Sequence, residues 1–264
     1  MIKKLLHLII IVFLTVFTQI GGIIYFLTIL IIKSKQENKR LKRLIVFSAI
    51  YLFSTFLIVP QLANLFGREK IKETELIKAN TIFTKLLNRN YVKPELNKTL
   101  QKISIDFEKK HKEIQLVYLD ANFPFIDKFP LLPHLSHNDG KKIDLSFVYQ
   151  ENGKITNKKP SISGYGIYEN PKNNEIKQFE ICKKKGYWQY DFPKYLTFGK
   201  INREIEFSEK ASRDLINSIL RQSEIGKIFI EPHLKTRMNL SNSKIRFHGC
   251  KAVRHDDHIH IQLK

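Results

Sequence analysis

At 264 residues, 43% of them apolar, the chain is long enough for one substantial globular domain and an additional segment. Its formal net charge of +20 favours an anionic neighbour such as a membrane surface or a cell-wall polymer. Nucleic-acid binding is not expected, because the basic residues form no arginine-rich helix with interleaved aromatic side chains.

Residues 1–66 predict a transmembrane helical hairpin. Residues 5–32 are almost continuously apolar and exceed the roughly 20 residues that a helix needs to span a bilayer. Residues 44–66 predict a second spanning helix, for which the alternative is a buried core helix. Because the loop 33–43 between them is rich in lysine and arginine, we expect it to be cytoplasmic. Both termini then lie on the other side of a bacterial plasma membrane, which makes the C-terminal domain extracytoplasmic, or periplasmic where an outer membrane is present.

A helical connector is predicted over residues 67–114. The segment 68–90 has mixed charge, with apolar residues at approximately helical spacing. Pro94 starts a clearer amphipathic helix that continues to about Lys112, because proline is tolerated in the first turn.

Residues 115–264 predict an α+β domain with a mainly antiparallel sheet and flanking helices. Ser208 is the expected N-cap of a helix that continues to about Gln222, and Pro232 opens a short helix. Cys182 and Cys250, the only cysteines, either pair in an oxidising compartment or stay unlinked. The expected strands cover residues 115–120, 143–149, 227–230, 244–247 and 254–263.

Two clusters of metal-ligating side chains lie in this domain. In the terminal strand, His258 and His260 are two residues apart and therefore point to the same face. His137 and Asp144 in the earlier cluster add an imidazole and a carboxylate, and Gly140 between them permits a tight loop. Such a set suits zinc, and three protein ligands leave one position open for water, as in catalytic sites.

The motifs that carry these residues resemble one known family. The pattern His134-Leu135-Ser136-His137-x-x-Gly140-x-x-x-Asp144, followed by His255-Asp256-Asp257-His258-x-His260, is similar to zinc peptidases of the LAS group, which unites lysostaphin-type, D-Ala-D-Ala and sonic-hedgehog-like members. The penicillin-insensitive murein endopeptidases are the most similar branch. The resemblance covers roughly residues 115–264.

The resemblance implies a zinc site held by His137, Asp144 and His260. It also implies that His258 lies beside the metal and moves a proton or stabilises the tetrahedral intermediate. Asp257 matches the position where many relatives carry an acidic general base. Strand alternation would turn its side chain away from His258 and His260, so we place His258 first and Asp257 second.

Three further residues match the pocket of the endopeptidase branch. His255 is implied to take part in catalysis. His134 and Ser136 are implied to contact the substrate or to support the ligands.

These expectations describe a membrane-anchored, extracytoplasmic zinc metallopeptidase that hydrolyses amide bonds of peptidoglycan cross-links or stem peptides. One alternative is a non-catalytic zinc-binding domain that recognises wall peptides or a protein partner, as in the sonic-hedgehog-like relatives. Another is a structural domain whose membrane hairpin mediates assembly. The sequence leaves the cleaved bond and the oligomeric state open.

Overall fold

The structure is a computed structural model that describes residues 2–33, 37–195, 197 and 199–264. Lys35 of the predicted cytoplasmic loop lies outside the described residues. The α-helices are α1 Ile2–Thr18, α2 Gly21–Ile31, α3 Lys39–Phe53, α4 Val59–Ala63, α5 Ile82–Leu86, α6 Pro94–Glu108, α7 Gln178–Lys184, α8 Glu209–Leu220 and α9 Pro232–Arg237. The strands are β1 Glu69–Lys70, β2 Ile77–Ala79, β3 Tyr91–Val92, β4 Leu116–Asp120, β5 Lys142–Ser146, β6 Tyr149–Glu151, β7 Lys154–Thr156, β8 Ile205–Phe207, β9 Ile225–Phe229, β10 Ile245–Arg246 and β11 His258–Leu263.

The chain divides into two compact units. The first consists of the segments Met1–Ile71, Ile82–Pro94 and Ala121–Lys141. The second consists of Lys72–Thr81, Glu95–Asp120 and Lys142–Lys264.

In the first unit, residues 5–32 do not form the single spanning helix that their length predicts. Helix α1 ends at Thr18, Gln19 has a left-handed backbone with φ of 64°, and α2 begins at Gly21. Helix α2 then runs back along α1, so that Nδ1 of His7 lies 2.9 Å from Oη of Tyr25. The apolar composition predicts burial in lipid equally well for one helix and for two, which is why it missed the turn.

Glycines make this close helix pairing possible. A Cβ atom on Gly22 would lie 1.9 Å from Oγ1 of Thr15 and 2.5 Å from the carbonyl oxygen of Ile11. Small residues let helix backbones approach in this way in membrane proteins.

One described segment, Lys39–Phe66, is a helix of 28 residues that is long and apolar enough to cross a membrane. It contains α3, a π-helical turn at Ser54–Ile58, α4 and a 3-10 turn at Asn64–Phe66. The second predicted span is therefore found as a candidate, and a hairpin of two spans is not confirmed. Lys3 and Lys39 line the same cavity, so the start of α1 and the start of α3 lie at the same end of these helices, whereas a hairpin of two spans would place them at opposite ends.

The second unit contains a six-stranded mixed sheet in the order β10-β9-β11-β5-β4-β2. The α+β class is confirmed, and the sheet is mixed: the β9–β11, β11–β5 and β5–β4 pairs in its centre are antiparallel, as predicted, whereas the β2–β4 and β9–β10 pairs at its two ends are parallel. Parallel neighbours need a crossover connection. Helix α6 lies in the chain between β2 and β4, and α9 lies between β9 and β10.

The connector is only partly helical. Helix α6 at Pro94–Glu108 confirms the amphipathic prediction, whereas the helix predicted over 68–90 is wrong. That segment contains β1, β2 and the short helix α5, and β2 adds an edge strand to the six-stranded sheet. Pairing of Ile77 with Leu116 across β2 and β4 is a tertiary contact that overrides the local spacing.

Helix α8 begins as predicted, with the Ser208 hydroxyl accepting from the amide of Ala211 at 3.5 Å. Cys182 and Cys250 form a disulfide that closes a loop across 68 positions, which decides between the two alternatives left open by the sequence.

Candidate metal centre

The register of β5 and β11 brings two of the predicted ligands together in the second unit. Asp144 and His260 are direct partners across the strand pair, so both side chains stand on the same face. Oδ1 of Asp144 lies 2.8 Å from Nδ1 of His260. The opposite face of β11 is apolar, because Ile259 and Ile261 are fully buried.

His137 is oriented by the loop that carries it. Its Nδ1 lies 2.7 Å from the carbonyl oxygen of Ala121, and because that oxygen can only accept, Nδ1 carries the proton. This leaves Nε2 with a lone pair, as a metal ligand requires. Gly140 in the same loop has a φ of 77°, which agrees with the predicted tight turn.

His137, Asp144 and His260 form a buried group whose candidate ligand atoms all lie within 4.8 Å of one another. This group could hold a metal ion. Two imidazoles and one carboxylate form a mixed nitrogen and oxygen donor set that fits zinc, for which three protein ligands are typical of catalytic centres.

His258 and Asp257 form a hydrogen-bonded pair beside this group. Nδ1 of His258 donates to Oδ1 of Asp257 over 2.5 Å, and Nε2 of His258 lies 3.7 Å from Oδ1 of Asp144. The second oxygen of Asp257 accepts the amide of Gly166 at 2.6 Å. The expectation that strand alternation turns Asp257 away from His258 is wrong, because β11 begins only at His258.

Charge around His258 favours its protonated form. Burial by itself lowers the pKa of His258, but the carboxylates of Asp144 and Asp257 outweigh burial and raise it to about 9. A divalent cation held by the neighbouring ligands would oppose this shift.

Tyr165 belongs to the site, although nothing in the sequence indicated it. Its hydroxyl donates to Oδ2 of Asp144 at 2.8 Å, and its ring packs edge-on to the ring of His258 with centroids 5.0 Å apart. It lies in the loop between β7 and α7. A glycine- and proline-rich sequence predicts a surface loop, but only the tertiary structure determines which of its residues reaches the site.

A second imidazole pair packs against β11. The ring centroid of His255 lies 4.8 Å from that of His258, and the ring of His248 stacks at 5.9 Å from that of His260. Burial and the nearby imidazoles of His258, His260 and His248 hold the pKa of His255 well below its usual value. His255 thus packs against His258, and its part in catalysis stays a prediction, whereas His248 was missed because a single histidine carries no pattern.

His134 and Ser136 lie in the loop with His137. The rings of His134 and His137 are 5.5 Å apart and both side chains are buried. Ser136 is half-buried in the turn between them. Their assignment to substrate contact stays a prediction.

Arg68 anchors this loop in the first unit. Its buried guanidinium donates to the carbonyl of Phe123, to Asp127 and, at 3.4 Å, to the carbonyl of Asn138. These bonds restrain the loop on both sides of its histidines.

Behind His255 lies a buried ionic network in the second unit. Arg254 donates to both oxygens of Asp256, and Glu231 accepts from the hydroxyl of Tyr190 at 2.5 Å and from the amide of His255 at 3.1 Å. Burial raises the pKa of Asp256 to about 8, although Arg254 opposes the shift. The network fixes the backbone immediately before β11.

No model of a known protein family matches the chain, and no curated protein is significantly similar to it.

Proposed function

We propose that this chain is a membrane-anchored metallopeptidase that hydrolyses peptide bonds of peptidoglycan cross-links or stem peptides with zinc as cofactor. The observation that carries the proposal is the buried group His137, Asp144 and His260 next to the hydrogen-bonded pair of His258 and Asp257. The resemblance to LAS peptidases in the same residues supports the choice of reaction and substrate.

The residues divide the chemistry between them. His137, Asp144 and His260 would hold zinc, which when bound polarises a carbonyl and lowers the pKa of a water ligand. His258 moves a proton between water and the leaving amine at its Nε2 atom, because Nδ1 is engaged by Asp257. Asp257 therefore orients His258 and is not the competing general base.

The membrane arrangement supports an extracytoplasmic domain. The segment Lys39–Phe66 is a candidate span, and Lys3 lines one cavity together with Lys39, Arg40 and Arg43. These basic residues then share one side of the membrane, as the positive-inside rule favours for the cytoplasmic side. A disulfide between Cys182 and Cys250 agrees with an oxidising compartment on the other side.

The test uses full-length protein purified in detergent. Metal content is measured by plasma mass spectrometry, and new amine termini are counted after incubation with purified cross-linked muropeptides. We expect about one zinc per chain and release of amines that a chelator abolishes. A protein that binds zinc and releases no amines contradicts the enzyme proposal and favours a binding domain.

A matched pair of variants tests the ligand assignment. His137→Ala should lose the zinc and the activity, whereas His111→Ala, which removes a histidine that pairs with Asp214, should retain both. Full zinc content in His137→Ala would reject His137 as a ligand.

A further inference from the structure

The helices of the first unit enclose a groove that the proposed peptidase chemistry does not use. The groove has a volume of about 750 Å³ and lies between α1, α2 and α3. Apolar side chains form its walls, namely Ile10, Leu14, Ile29, Leu44 and Phe47. Basic side chains also line it, namely Lys3, Lys39, Arg40 and Arg43.

Three of these cations, Lys3, Lys39 and Arg40, lie in the first turns of α1 and α3, which start at the same end of the groove. Neither α1 nor α3 has an acidic residue in its first turn, so the helix dipoles add to the positive potential of the side chains. Arg43 is held in place by donating to the carbonyl oxygen of Ile32 from Nε at 3.3 Å and from Nη2 at 2.9 Å. The groove therefore combines a fixed positive end with an apolar body.

We propose that this groove binds an anionic phospholipid. Its phosphate would lie among Lys3, Lys39 and Arg40, and an acyl chain would follow the apolar wall toward Leu14. Basic pockets between membrane helices are suited to anionic headgroups. The apolar wall favours a lipid over a free phosphate ion, and the outer faces of the helices are also apolar, with Leu5, Ile9 and Phe13 exposed.

The test measures lipid binding to the full-length protein in detergent by native mass spectrometry. Dioleoylphosphatidylglycerol is the anionic probe, dioleoylphosphatidylcholine has the same chains without net charge, and sodium phosphate is the free anion. We expect phosphatidylglycerol to bind about tenfold more tightly than phosphatidylcholine, with phosphate failing to compete at equal concentration. Equal binding of both lipids, or displacement by phosphate, overturns the proposal.

Two double variants that remove the same charge distinguish lipid binding in the groove from general electrostatic attraction. Lys39→Gln with Arg40→Gln should weaken phosphatidylglycerol binding about tenfold or more. Lys4→Gln with Lys42→Gln removes the same charge from side chains that do not line the groove and should change binding less than about twofold. Equal losses in the two variants would contradict a defined site.

A third variant tests the apolar wall while keeping every cation. Ile29→Trp fills the groove and should lower phosphatidylglycerol binding about tenfold, by steric exclusion of the acyl chain. Unchanged binding would show that only the headgroup is held and would reject the groove as an acyl site. Circular dichroism checks the helix content of each variant. If the variant with both Lys39→Gln and Arg40→Gln unfolds, the single variant Arg40→Gln takes its place. The zinc content of all variants should be unchanged, so this proposal can fail without the peptidase proposal.

Discussion

The Tyr165 hydroxyl donates a 2.8 Å hydrogen bond to Oδ2 of Asp144, while Oδ1 of the same carboxylate lies 2.8 Å from Nδ1 of His260. Each oxygen of Asp144 thus has a separate neighbour. The carboxylate is held in one orientation by a residue that is not itself in the candidate ligand group.

Tyr165→Phe should therefore weaken metal binding. Loss of the hydrogen bond frees Asp144 to rotate, and we expect zinc affinity to fall roughly 10–100-fold. Competition with a chromophoric chelator measures this affinity. Tyr195→Phe removes the hydroxyl of an exposed tyrosine and should leave the affinity unchanged. An unaltered affinity in Tyr165→Phe would show that Asp144 needs no such support.

Asp257→Asn should lower the hydrolytic rate without releasing the metal. His258 and the Gly166 amide donate to different oxygens of Asp257, and a carboxamide has an oxygen at only one of these two positions, so one bond is lost and the imidazole loses its fixed orientation. We expect kcat to fall on the order of 10²–10⁴-fold with little change in KM. Asp214→Asn removes a carboxylate that pairs with Lys110 and His111 and serves as the control. A loss of zinc in Asp257→Asn would instead indicate a structural role for Asp257.

Gly166→Ala should destabilise the fold and disturb the loop that carries Tyr165. Gly166 has a φ of 79°, and an added Cβ would lie 2.9 Å from Cγ2 of Thr197 and 3.0 Å from the carbonyl oxygen of Pro193. Gly153→Ala is a matched control, because its φ is 76° and nothing lies within 4 Å of an added Cβ. Urea unfolding should show a cost of about 1 kcal/mol for Gly153→Ala and a larger one for Gly166→Ala, since only the latter adds a clash. Equal costs would show that the loop yields freely.

Lys159→Met should change how stability depends on pH. Lys159 is 8% exposed and donates to the carbonyl of Phe147 at 3.3 Å, and burial lowers its pKa from 10.5 to about 7. Below pH 7 Lys159 is protonated in both the folded and the unfolded chain, so the folded state bears the full free-energy cost of burying its charge. Between pH 7 and 10.5 the unfolded chain binds more protons, so the stability contributed at this site rises with pH.

The gain in unfolding free energy from Lys159→Met, relative to the wild type, should thus be largest at or below pH 7 and shrink toward pH 10.5. At about 1.4 kcal/mol per pKa unit, the change across this range amounts to a few kcal/mol. Urea unfolding at several pH values measures it. Lys158→Met, at an exposed lysine that pairs with Glu151, should show no such trend. A pH-independent difference would contradict the lowered pKa of Lys159.

Patterns confined to one element were predicted well. The N-cap of α8 at Ser208, the start of α6 at Pro94 and the strand over β4 follow from spacing and capping chemistry. The resemblance to LAS peptidases also selected His137, Asp144 and His260, which the structure brings together as a group that could hold a metal ion. The prediction of one spanning helix over residues 5–32 was wrong. Apolar composition indicates that a helix lies in lipid, but it does not indicate where the chain turns.

The sequence by itself determined which side chains could ligate a metal, the α+β class and one apolar segment long enough for a membrane. Only the tertiary structure decided that Asp257 pairs with His258, that Tyr165 reaches Asp144, and that α2 folds back on α1. Each of these depends on the direction of a side chain or of the backbone at a point where regular structure stops. At such points the periodic pattern of a helix or strand ends, and contacts with residues distant in the sequence set the conformation.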